Sequence, residues 1–576
     1  MTAARPSRPL RSMEGPLLGP ILPNVASLVE RCAERFADVV AFRQLRDGEF
    51  TGPRWSELAE TIRTLAWSLR ELGLRRGDKL AIVSHNRLEM LALELAVLSS
   101  GAVAVPIFHG YPREILTELI GFCGARFLAV GTVAHLDRID PILELDRVII
   151  LDDVADESYP GLVTYASLAA AERDAAFALE LDAEPETICL MQYTSGTSGK
   201  PKLVQLTHRC ILSQQVALES IWPPESGGRL LSYLPWHHSF GGIFELFNAL
   251  ARGATMTLEP TYAKDPASIL EHWKLVRPTT FFSVPKVYQA LVDLTRNDEA
   301  ALSSLLHEEL EFIFTAAARL PDSIGREFDR RGIPIVEGWG LTETAPCCTI
   351  TDPTEPRIPG VVGRPIAGVA VRIADDGEIQ VKGPNVMTGY YDNDEENALA
   401  FTDDGWFRTG DIGAITERGL RLIGRRDRIF KLSNGEKVVS ADVENALQSC
   451  CHYLAFAVVA GSGQSYPVAL LLPNRQLLEG EPAIDACACP RTLDELSQCL
   501  AGCLKTANEG IVQKFARPPI ALLIDGELTI EQGTLTPSMK VVATKVLETY
   551  RTAIEELYAS DDPSRDDVYV VPLRTP

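Results

Sequence analysis

The sequence lacks the features of several large classes of protein. No apolar run reaches the roughly 18 residues that a membrane-spanning helix needs. Basic residues are few, since 55 Lys and Arg stand against 78 Asp and Glu and give a formal net charge of −23. This balance argues against a nucleic-acid partner and against a general attraction to anionic membranes. A polyanion that binds the chain must therefore be held by a local cluster of donors.

The twelve cysteines lack the spacing of a disulfide framework, which is typical of a protein from a reducing compartment. One late group contains C-x-C and C-x3-C, and these spacings match no common zinc site. The group consists of Cys487, Cys489, Cys499 and Cys503. We interpret these residues as thiols rather than as metal ligands.

The first thirteen residues are basic and contain no acidic residue, as in a transit peptide. However, Pro6, Pro9 and Pro16 disfavour the amphipathic helix that such a peptide forms. A disordered lead over residues 1–23 is the favoured interpretation. A cytoplasmic location follows as the default expectation.

At 576 residues the chain exceeds the roughly 250–300 residues at which one hydrophobic core stops growing, so we expect at least two units. Over residues 24–424, short β-branched runs such as KLAIVS (79–84) alternate with helical patterns. This alternation predicts βαβ units and parallel-rich sheets. Frequent Gly and Pro after Gly340 predict a β-rich subdomain that closes this body. The predicted fold class is α/β, with a large layered N-terminal domain.

A small mobile α+β domain is predicted over residues 425–560. It has a helical pattern at SADVENALQSC (440–450) and a strand pattern at YLAFAVVA (453–460). The junction near Arg425 is the candidate hinge, with Asp427 as its pivot. The Asp- and Pro-rich tail over 561–576 is expected to be loose.

The stretch YTSGTSGKPK (193–202) has the composition of a phosphate-binding loop but is not a Walker loop. A Walker loop would need glycine in place of Thr194 and Ser or Thr in place of Pro201. Glycines permit positive φ, so backbone N–H groups can turn inward as an anion nest, and hydroxyls and a lysine add further donors. A flexible polar linker would explain the Gly and Ser, but not the lysines or the strand-like TICLMQY before them. The predicted polyphosphate contacts are Thr194, Ser195, Gly196, Thr197, Ser198, Gly199 and Lys200.

Six further stretches occur in order with this loop. Together the seven resemble the adenylate-forming superfamily, which includes acyl-CoA synthetases, adenylation domains of peptide synthetases and beetle luciferases. The resemblance covers residues 24–558. The six stretches are YLPWHHSFGG (233–242), FTAAARLP (314–321), EGWGLTET (337–344), GWFRTGDIG (405–413), GRRDRIFKLSNGEKV (424–438) and LTPSMK (535–540).

The resemblance implies that the loop holds the phosphates of MgATP while a carboxylate attacks the α-phosphorus. The products are an acyl-adenylate and pyrophosphate. Adenylation gives an otherwise inert carboxylate a leaving group, which a thiol such as that of CoA then displaces. No covalent enzyme nucleophile is needed, and TSGTSG is not a G-x-S-x-G elbow.

The resemblance also implies nucleotide contacts beyond the loop. Trp339 stands where tyrosine is usual and presents a ring to adenine, while Gly340 and Ala317 belong to the same binding segments. Thr342 resembles an α-phosphate donor, and Glu343 the carboxylate that holds Mg²⁺. Each has a plainer interpretation: Trp339 as a core residue, and Thr342 with Glu343 as an N-cap pair.

The ribose contacts implied by the resemblance are Asp411 and Arg425. For Asp411 alone, a turn aspartate is the plainer interpretation.

Two lysines of the small domain resemble residues that serve different half-reactions. Lys540 is similar to the lysine that bridges the carboxylate and the α-phosphate during adenylation. Lys431 is similar to a lysine presented during thioester formation. The family places them on opposite faces, which implies a rotation about Asp427 between the two steps. Taken singly, either lysine would be read as a solvated surface charge.

The acyl site is less determined by the sequence. His238, Phe240, Gly241 and Gly242 match the segment that lines the carboxylate pocket in the family, with His238 as a catalytic candidate. Small side chains are expected to leave room for a long or broad apolar tail. The remaining predicted pocket residues are Ala316 and Ala318 on its floor, with Pro346 and Cys347 at its border.

VRPTTFFSVPKVY (276–288) and KLSNGEKV (431–438) are similar to the long-chain fatty acyl-CoA synthetase branch. We therefore expect a medium- or long-chain fatty acid as substrate. Leu203 replaces the glycine that usually follows PK, and we expect it to tighten the next turn.

Three alternatives stay open from the sequence. The first is an aromatic acid, or a carrier-protein phosphopantetheine as acceptor. The second is a luciferase-type oxygenase, and the third is an inactive ATP-binding scaffold. A homodimer is compatible with the acidic charge.

Overall fold

The structure is a computed structural model that describes residues 11–154, 162–194, 201–219, 222, 228–295, 298–316, 320, 322–479, 490–536, 540–560 and 567–573. The chain divides into two compact units. The large unit comprises Met1–Thr409 with Gly413–Leu422, and the small unit comprises Gly410–Ile412 with Ile423–Pro576.

The strands in chain order are β1 Ser12–Glu14, β2 Phe42–Arg46, β3 Glu49–Thr51, β4 Lys79–Val83, β5 Val103–Ile107, β6 Phe127–Val130, β7 Arg147–Ile150, β8 Leu162–Thr164, β9 Ile188–Thr194, β10 Lys202–Thr207, β11 Arg229–Ser232, β12 Thr255–Leu258, β13 Thr280–Ser283, β14 Phe312–Thr315, β15 Ile335–Trp339, β16 Thr349–Ile350, β17 Arg364–Pro365, β18 Ala370–Ile373, β19 Glu378–Lys382, β20 Gly389–Tyr390, β21 Phe407–Thr416, β22 Gly419–Arg425, β23 Ile429–Lys431, β24 Lys437–Val439, β25 Leu454–Ala460, β26 Val468–Pro473, β27 Ile520–Ile524 and β28 Val568–Pro572.

The α-helices in chain order are α1 Val25–Arg35, α2 Trp55–Glu71, α3 Leu88–Leu98, α4 Arg113–Cys123, α5 Val133–Leu136, α6 Tyr165–Ala169, α7 His208–Glu219, α8 Leu246–Arg252, α9 Pro266–Val276, α10 Pro285–Thr295, α11 Glu299–Leu305, α12 Asp322–Arg330, α13 Asp394–Ala400, α14 Ser440–Gln448, α15 Arg475–Glu479, α16 Leu493–Gly510, α17 Ala543–Thr549 and α18 Arg551–Ser560. Of these helices, none combines the length and the apolar character that a membrane crossing requires.

Two sheets form the body of the large unit. One has the strand order β20-β10-β9-β5-β4-β6-β7-β8, and the strands from β9 to β8 pair in parallel. The other has the order β17-β16-β15-β14-β13-β11-β12-β2-β3 and is parallel from β15 to β2. Strands buried on both faces, such as β5, read as continuous apolar runs, which is typical of parallel sheets covered by helices. The prediction of a parallel-rich α/β body is confirmed.

The small unit is built around a sheet of order β25-β26-β27-β28, with the hairpin β23-β24 before it. The predicted helix at SADVENALQSC is α14, and the predicted strand at YLAFAVVA is β25. Leu496, Leu500 and Leu504 of α16 are fully buried at a spacing of four residues, so one face of this helix packs into the core of the unit.

A strand forms within each of the two segments that were predicted to be loose. The predicted disorder over residues 1–23 is wrong for Ser12–Glu14, because Met13 pairs with Val371 in an antiparallel sheet of order β1-β18-β19-β21-β22. The predicted loose tail over 561–576 is wrong for Val568–Pro572, which pairs with β27. In each case the pairing partner lies elsewhere in the chain, so local composition does not reveal it.

Helix α3 is buried along most of its length, and it carries an acidic residue into the core. Glu94 is 1% exposed, and neither of its carboxylate oxygens has a hydrogen-bond partner among the described residues. Burial disfavours the charged form and raises the pKa of the Glu94 carboxyl to about 8. The side chain is therefore neutral at pH 7.

This burial predicts a pH-dependent stability difference between the native chain and Glu94→Gln. The folded pKa lies above the unfolded value, so the contribution of Glu94 is present below about pH 4.5 and lost as the pH rises through about 8. Between these two pH values, the free energy of unfolding of the native chain should fall by about 1.4 kcal/mol per pH unit relative to that of Glu94→Gln. Urea unfolding at a series of pH values measures this difference. Exposed Glu114→Gln is the control and should show a flat difference. An equally flat difference for Glu94→Gln would contradict the buried neutral carboxyl.

Candidate active site

The first cluster of predicted residues lies on the turn that follows β15 in the large unit. A 3₁₀ helix, Thr342–Thr344, forms this turn. Thr344 closes it, because its Oγ1 accepts a hydrogen bond from the Leu341 N–H at 2.9 Å. Thr342 Oγ1 lies 3.0 Å from Ser239 Oγ, so the predicted α-phosphate donor contacts the HHSFGG segment.

Trp339 and Gly340 directly precede this turn, and both are tightly packed against neighbouring residues. Trp339 is 7% exposed and belongs to the large core, as the plainer interpretation held. Its stacking on adenine stays a prediction. A Cβ added to Gly340 would lie 1.8 Å from the Pro346 carbonyl oxygen. Only glycine therefore fits where the chain leaves β15 for the turn.

Glu343 is held on one side and open on the other. The Tyr390 hydroxyl donates to Glu343 Oε1 at 2.8 Å, and the Met387 N–H donates to the Glu343 carbonyl at 2.8 Å. No described residue donates to Glu343 Oε2, and the side chain is half-buried. An oriented carboxylate with one uncommitted oxygen suits a hard cation such as Mg²⁺, so the residues present fit that ion.

The segment after the turn is anchored by buried amides. Asn385 is 1% exposed, and its Nδ2 donates to the carbonyls of Thr344 and Cys347, each at 2.9 Å. Gln214 Nε2 also donates to the Cys347 carbonyl, at 3.2 Å. Burial raises the pKa of the Cys347 thiol well above its usual value, so Cys347 is unsuited to act as a nucleophile. The adjoining Pro346 follows a cis peptide bond and is half-buried.

The HHSFGG segment runs into a π-helix, Phe240–Glu245, a rare conformation that is frequent at functional sites. His238 Nδ1 accepts a hydrogen bond from the Phe240 N–H at 3.2 Å. Cβ atoms at Gly241 and Gly242 would lie 2.6 Å and 1.9 Å from backbone oxygens, so both positions require glycine.

The neighbouring His237 is neutral at physiological pH, because burial lowers the pKa of its imidazole to about 3.

The wall behind Phe240 is aromatic rather than small. The Phe240 ring centroid lies 5.7 Å from that of Phe314, which lies 4.6 Å from Phe244 and 5.4 Å from Phe282. These four residues, which we call the aromatic layer, are each at most 6% exposed. Ala316 follows β14 and is half-buried, whereas the predicted positions Ala317 and Ala318 lie outside the described residues.

The predicted phosphate loop begins and ends on paired strands. Thr194 ends β9 and pairs with Lys202 at the start of β10, while Ser195, Gly196, Thr197, Ser198, Gly199 and Lys200 lie outside the described residues. The expectation that Leu203 tightens a turn is wrong. Leu203 lies in β10 opposite Tyr193 and is 1% exposed, so its side chain belongs to the core.

A second cluster forms within the small unit. Arg425 Nη1 lies 3.0 Å from Asp411 Oδ1, so the two predicted ribose contacts form an ion pair. Lys540 is bonded to Thr536, because its N–H donates to Thr536 Oγ1 at 3.0 Å and its carbonyl accepts from the Thr536 N–H at 2.8 Å. The Lys540 residue as a whole is exposed. Desolvation of its amino group lowers the pKa of Lys540, whereas Asp411 raises it and Arg425 lowers it. The structure thus brings three predicted residues together.

Lys431 and Asp427 lie elsewhere in the small unit. Lys431 is exposed at the end of β23, opposite Lys437. Asp427 lies in a 3₁₀ helix, Arg426–Arg428, with Oδ1 3.9 Å from Arg425 Nε. The boundary between the two units falls before Ile423. The pivot at Asp427 stays a prediction.

Four residues of the first cluster were missed from the sequence. Ser239 stands inside the quoted stretch YLPWHHSFGG but had not been assigned a contact, and Tyr390 lies outside the seven stretches. Asn385 and Gln214 carry no local signal, because an amide that holds a distant carbonyl is recognised only once the chain is folded.

The family model described as "AMP-binding enzyme" matches residues 29–391, and the model "AMP-binding enzyme C-terminal domain" matches residues 427–562. The chain belongs to the AMP-binding enzyme family. The predicted resemblance to adenylate-forming enzymes is confirmed.

Three relatives are CoA ligases. The long-chain-fatty-acid–CoA ligase FadD15 of Mycobacterium bovis is 28% identical, over 93% of this chain and 97% of its own. The 3-[(3aS,4S,7aS)-7a-methyl-1,5-dioxo-octahydro-1H-inden-4-yl]propanoyl:CoA ligase of Mycobacterium tuberculosis is 32% identical, over 74% and 83%. The indoleacetate–CoA ligase of Aromatoleum aromaticum is 29% identical, over 82% and 89%. With these relatives, the chain is assigned to the acid–thiol ligases.

Solved structures share the fold. ATP-bound MatB from Rhodopseudomonas palustris has a TM-score of 0.74 at 24% identity, over 92% of this chain and 99% of its own. The o-succinylbenzoate CoA synthetase MenE of Bacillus subtilis, in complex with ATP and a magnesium ion, has a TM-score of 0.71 at 22% identity, over 91% and 99%.

Proposed function

We propose that the chain is an AMP-forming acyl-CoA ligase that activates a medium- or long-chain fatty acid with MgATP and transfers the acyl group to CoA. The contact of 3.0 Å between Thr342 and Ser239 carries the proposal, because it joins the predicted phosphate-binding turn to the predicted carboxylate-binding segment. The attacking carboxylate and the α-phosphorus must meet at such a junction. The relatives named as fatty-acid CoA ligases support the choice of acid.

The first half-reaction forms one bond and breaks one. A carboxylate oxygen attacks the α-phosphorus, and the bond to pyrophosphate breaks. Thr342 donates to an α-phosphate oxygen, and Lys540 offsets the negative charge that gathers during attack. Glu343 would hold Mg²⁺, which supplies neutralising charge to the departing pyrophosphate when bound.

The second half-reaction transfers the acyl group. The CoA thiol loses its proton and attacks the acyl carbon, and AMP leaves with the electrons of the acyl–oxygen bond. Lys431 serves this step after rotation about Asp427. Asp411 and Arg425 hold the ribose, and Trp339 lies against adenine.

The aromatic layer favours a second candidate substrate, a compact cyclic acid. Phe244, Phe282 and Phe314 pack together behind Phe240, and we take this layer as the closed end of the acyl pocket. Two relatives are named for a bicyclic propanoyl acid and for indoleacetate, which agrees with such a pocket. A phosphopantetheine carrier protein is the alternative acceptor.

Thioester formation with a panel of acids tests the proposal. Purified protein, MgATP and CoA are combined with fatty acids of graded length and with aromatic and bicyclic acids, and the products are identified by mass spectrometry. We expect an acyl-CoA from at least one acid, and the best acid decides between the two candidates. An adenylate that accumulates despite CoA would overturn the choice of CoA as acceptor.

The aromatic layer makes a specific prediction about selectivity. Phe244→Leu removes part of a buried ring, so larger or longer acids should gain about tenfold in kcat/KM relative to smaller ones, equivalent to about two methylenes at roughly 0.8 kcal/mol each. The matched control is Phe127→Leu, a buried residue of β6 outside the layer. If both variants shift selectivity equally, or if neither does, the layer does not limit the pocket.

A further inference from the structure

Tyr390 is fixed in place by backbone contacts on both sides. It lies in β20, where it pairs with Val204 of β10. Its N–H donates to Asn397 Oδ1 at 2.7 Å, and its carbonyl accepts from Asn397 Nδ2 at 2.9 Å. The residue is 6% exposed. These contacts therefore fix the backbone that carries the Tyr390 hydroxyl.

The segment 387–390 makes two hydrogen bonds to Glu343. Besides the bond of 2.8 Å from the Tyr390 hydroxyl to Oε1, the Met387 N–H holds the Glu343 carbonyl at 2.8 Å. The first bond orients the carboxylate and the second fixes its backbone. Replacing a partner of this kind, which orients a metal-binding group, typically lowers metal affinity by about 10- to 100-fold.

A buried cation supports the Tyr390 hydroxyl. Lys202 Nζ lies 5.0 Å from the centroid of the Tyr390 ring and 2.6 Å from Glu396 Oε2. The Lys202 side chain is 12% exposed, and the ion pair with Glu396 holds its amino group at the ring. A cation over the ring withdraws electron density from the phenol, which strengthens the hydroxyl as a donor.

We propose that Tyr390 is a positioning residue that holds the Glu343 carboxylate in the orientation that binds Mg²⁺, and that Lys202 on its ring reinforces this bond. The inference rests on the proposed function, because it takes Glu343 as the magnesium carboxylate. It adds Tyr390, Lys202 and Glu396 to the residues on which MgATP binding depends.

The chain supplies a matched control in the next residue. Lys79 Nζ lies 4.5 Å from the centroid of the Tyr391 ring and 3.3 Å from its hydroxyl. Tyr391 thus repeats the tyrosine–lysine pairing in the same segment, but its hydroxyl is not bonded to Glu343.

The test compares the affinity for ATP with Mg²⁺ and without it, in EDTA, by isothermal titration calorimetry. For the native chain we expect Mg²⁺ to tighten ATP binding. In Tyr390→Phe, the ratio of the Kd without Mg²⁺ to the Kd with Mg²⁺ should be about 10- to 100-fold smaller than in the native chain. The Kd of this variant for metal-free ATP should stay within about twofold of the native value. Glu343→Gln should show the same loss, and Tyr391→Phe should behave as the native chain. Circular dichroism melting checks that all variants fold.

Two results would overturn the positioning role. One is a Tyr390→Phe variant that keeps the native Mg²⁺ effect. The other is a loss of affinity that is equal with and without Mg²⁺, as a purely structural role would give. The proposed function is judged separately by the acid panel, so a native chain that forms a thioester while Tyr390→Phe keeps the native Mg²⁺ effect refutes this inference alone.

Discussion

Replacing Lys540 by alanine is expected to lower acid-dependent pyrophosphate release by about 10²- to 10³-fold, with little change in the unfolding temperature. The Lys540 residue as a whole is exposed, whereas its amino group is desolvated and interacts with the Asp411–Arg425 pair of the predicted nucleotide site. Removing one positively charged group that stabilises the negative charge of the transition state typically lowers a rate by this factor. The measurement is the steady-state release of pyrophosphate with the best acid of the panel.

Two other lysines of the small unit complete the test, Lys437 as the control and Lys431 as the residue assigned to the second half-reaction. Lys437→Ala, on the strand opposite Lys431, should retain the native rate of release. Lys431→Ala should slow thioester formation more than adenylation, because it is assigned to the second half-reaction. Native adenylation by Lys540→Ala, or equal losses in both half-reactions for Lys431→Ala, would contradict the division of labour between the two lysines.

Gly340→Ala is expected to disrupt the nucleotide site through backbone displacement. The added Cβ would lie 1.8 Å from the Pro346 carbonyl, so the turn that carries Thr342 and Glu343 must shift. Even a shift of about 1 Å costs on the order of 10²-fold in catalysis. We expect the rate of adenylation to fall by at least that factor and the unfolding temperature to drop.

The matched control is Gly121→Ala, in helix α4 of the same unit. There the nearest atom to the new Cβ is Leu143 Cδ2 at 3.6 Å, an ordinary contact. This variant should keep its activity and gain slightly in stability, because alanine favours a helix over glycine. If Gly340→Ala is as active as Gly121→Ala, the close approach to Pro346 does not constrain the site.

The spacing of apolar residues in the sequence correctly predicted the strands and helices whose buried faces depend on neighbouring residues. KLAIVS became β4 and SADVENALQSC became α14, because their apolar spacing already specifies which faces are buried. The strand Ser12–Glu14 could not be predicted in this way. Its basic, proline-containing surroundings give no strand signal, and its partner Val371 lies more than three hundred residues away.

The residues of the candidate site also fall into those that local motifs predicted and those that only the folded structure reveals. Motif spacing placed Thr342, Glu343 and Gly340 on one turn, and the structure agrees because consecutive residues cannot separate far. The contacts that orient them come from Ser239, Asn385 and Tyr390, which the fold brings to the turn from other elements. The room that the small motif residues are expected to leave stays a prediction. Phe314 stands in the motif FTAAARLP, whereas Phe244 and Phe282, which pack against it, come from the π-helix and from β13.

The central claim is that this chain joins a carboxylic acid to AMP before any thiol takes part. The most direct measurement is the exchange of labelled pyrophosphate into ATP, with Mg²⁺ and without CoA, for each acid of the panel. The account predicts exchange that requires the acid and is lost in Lys540→Ala. Exchange that needs CoA, or no exchange with any acid, would contradict it.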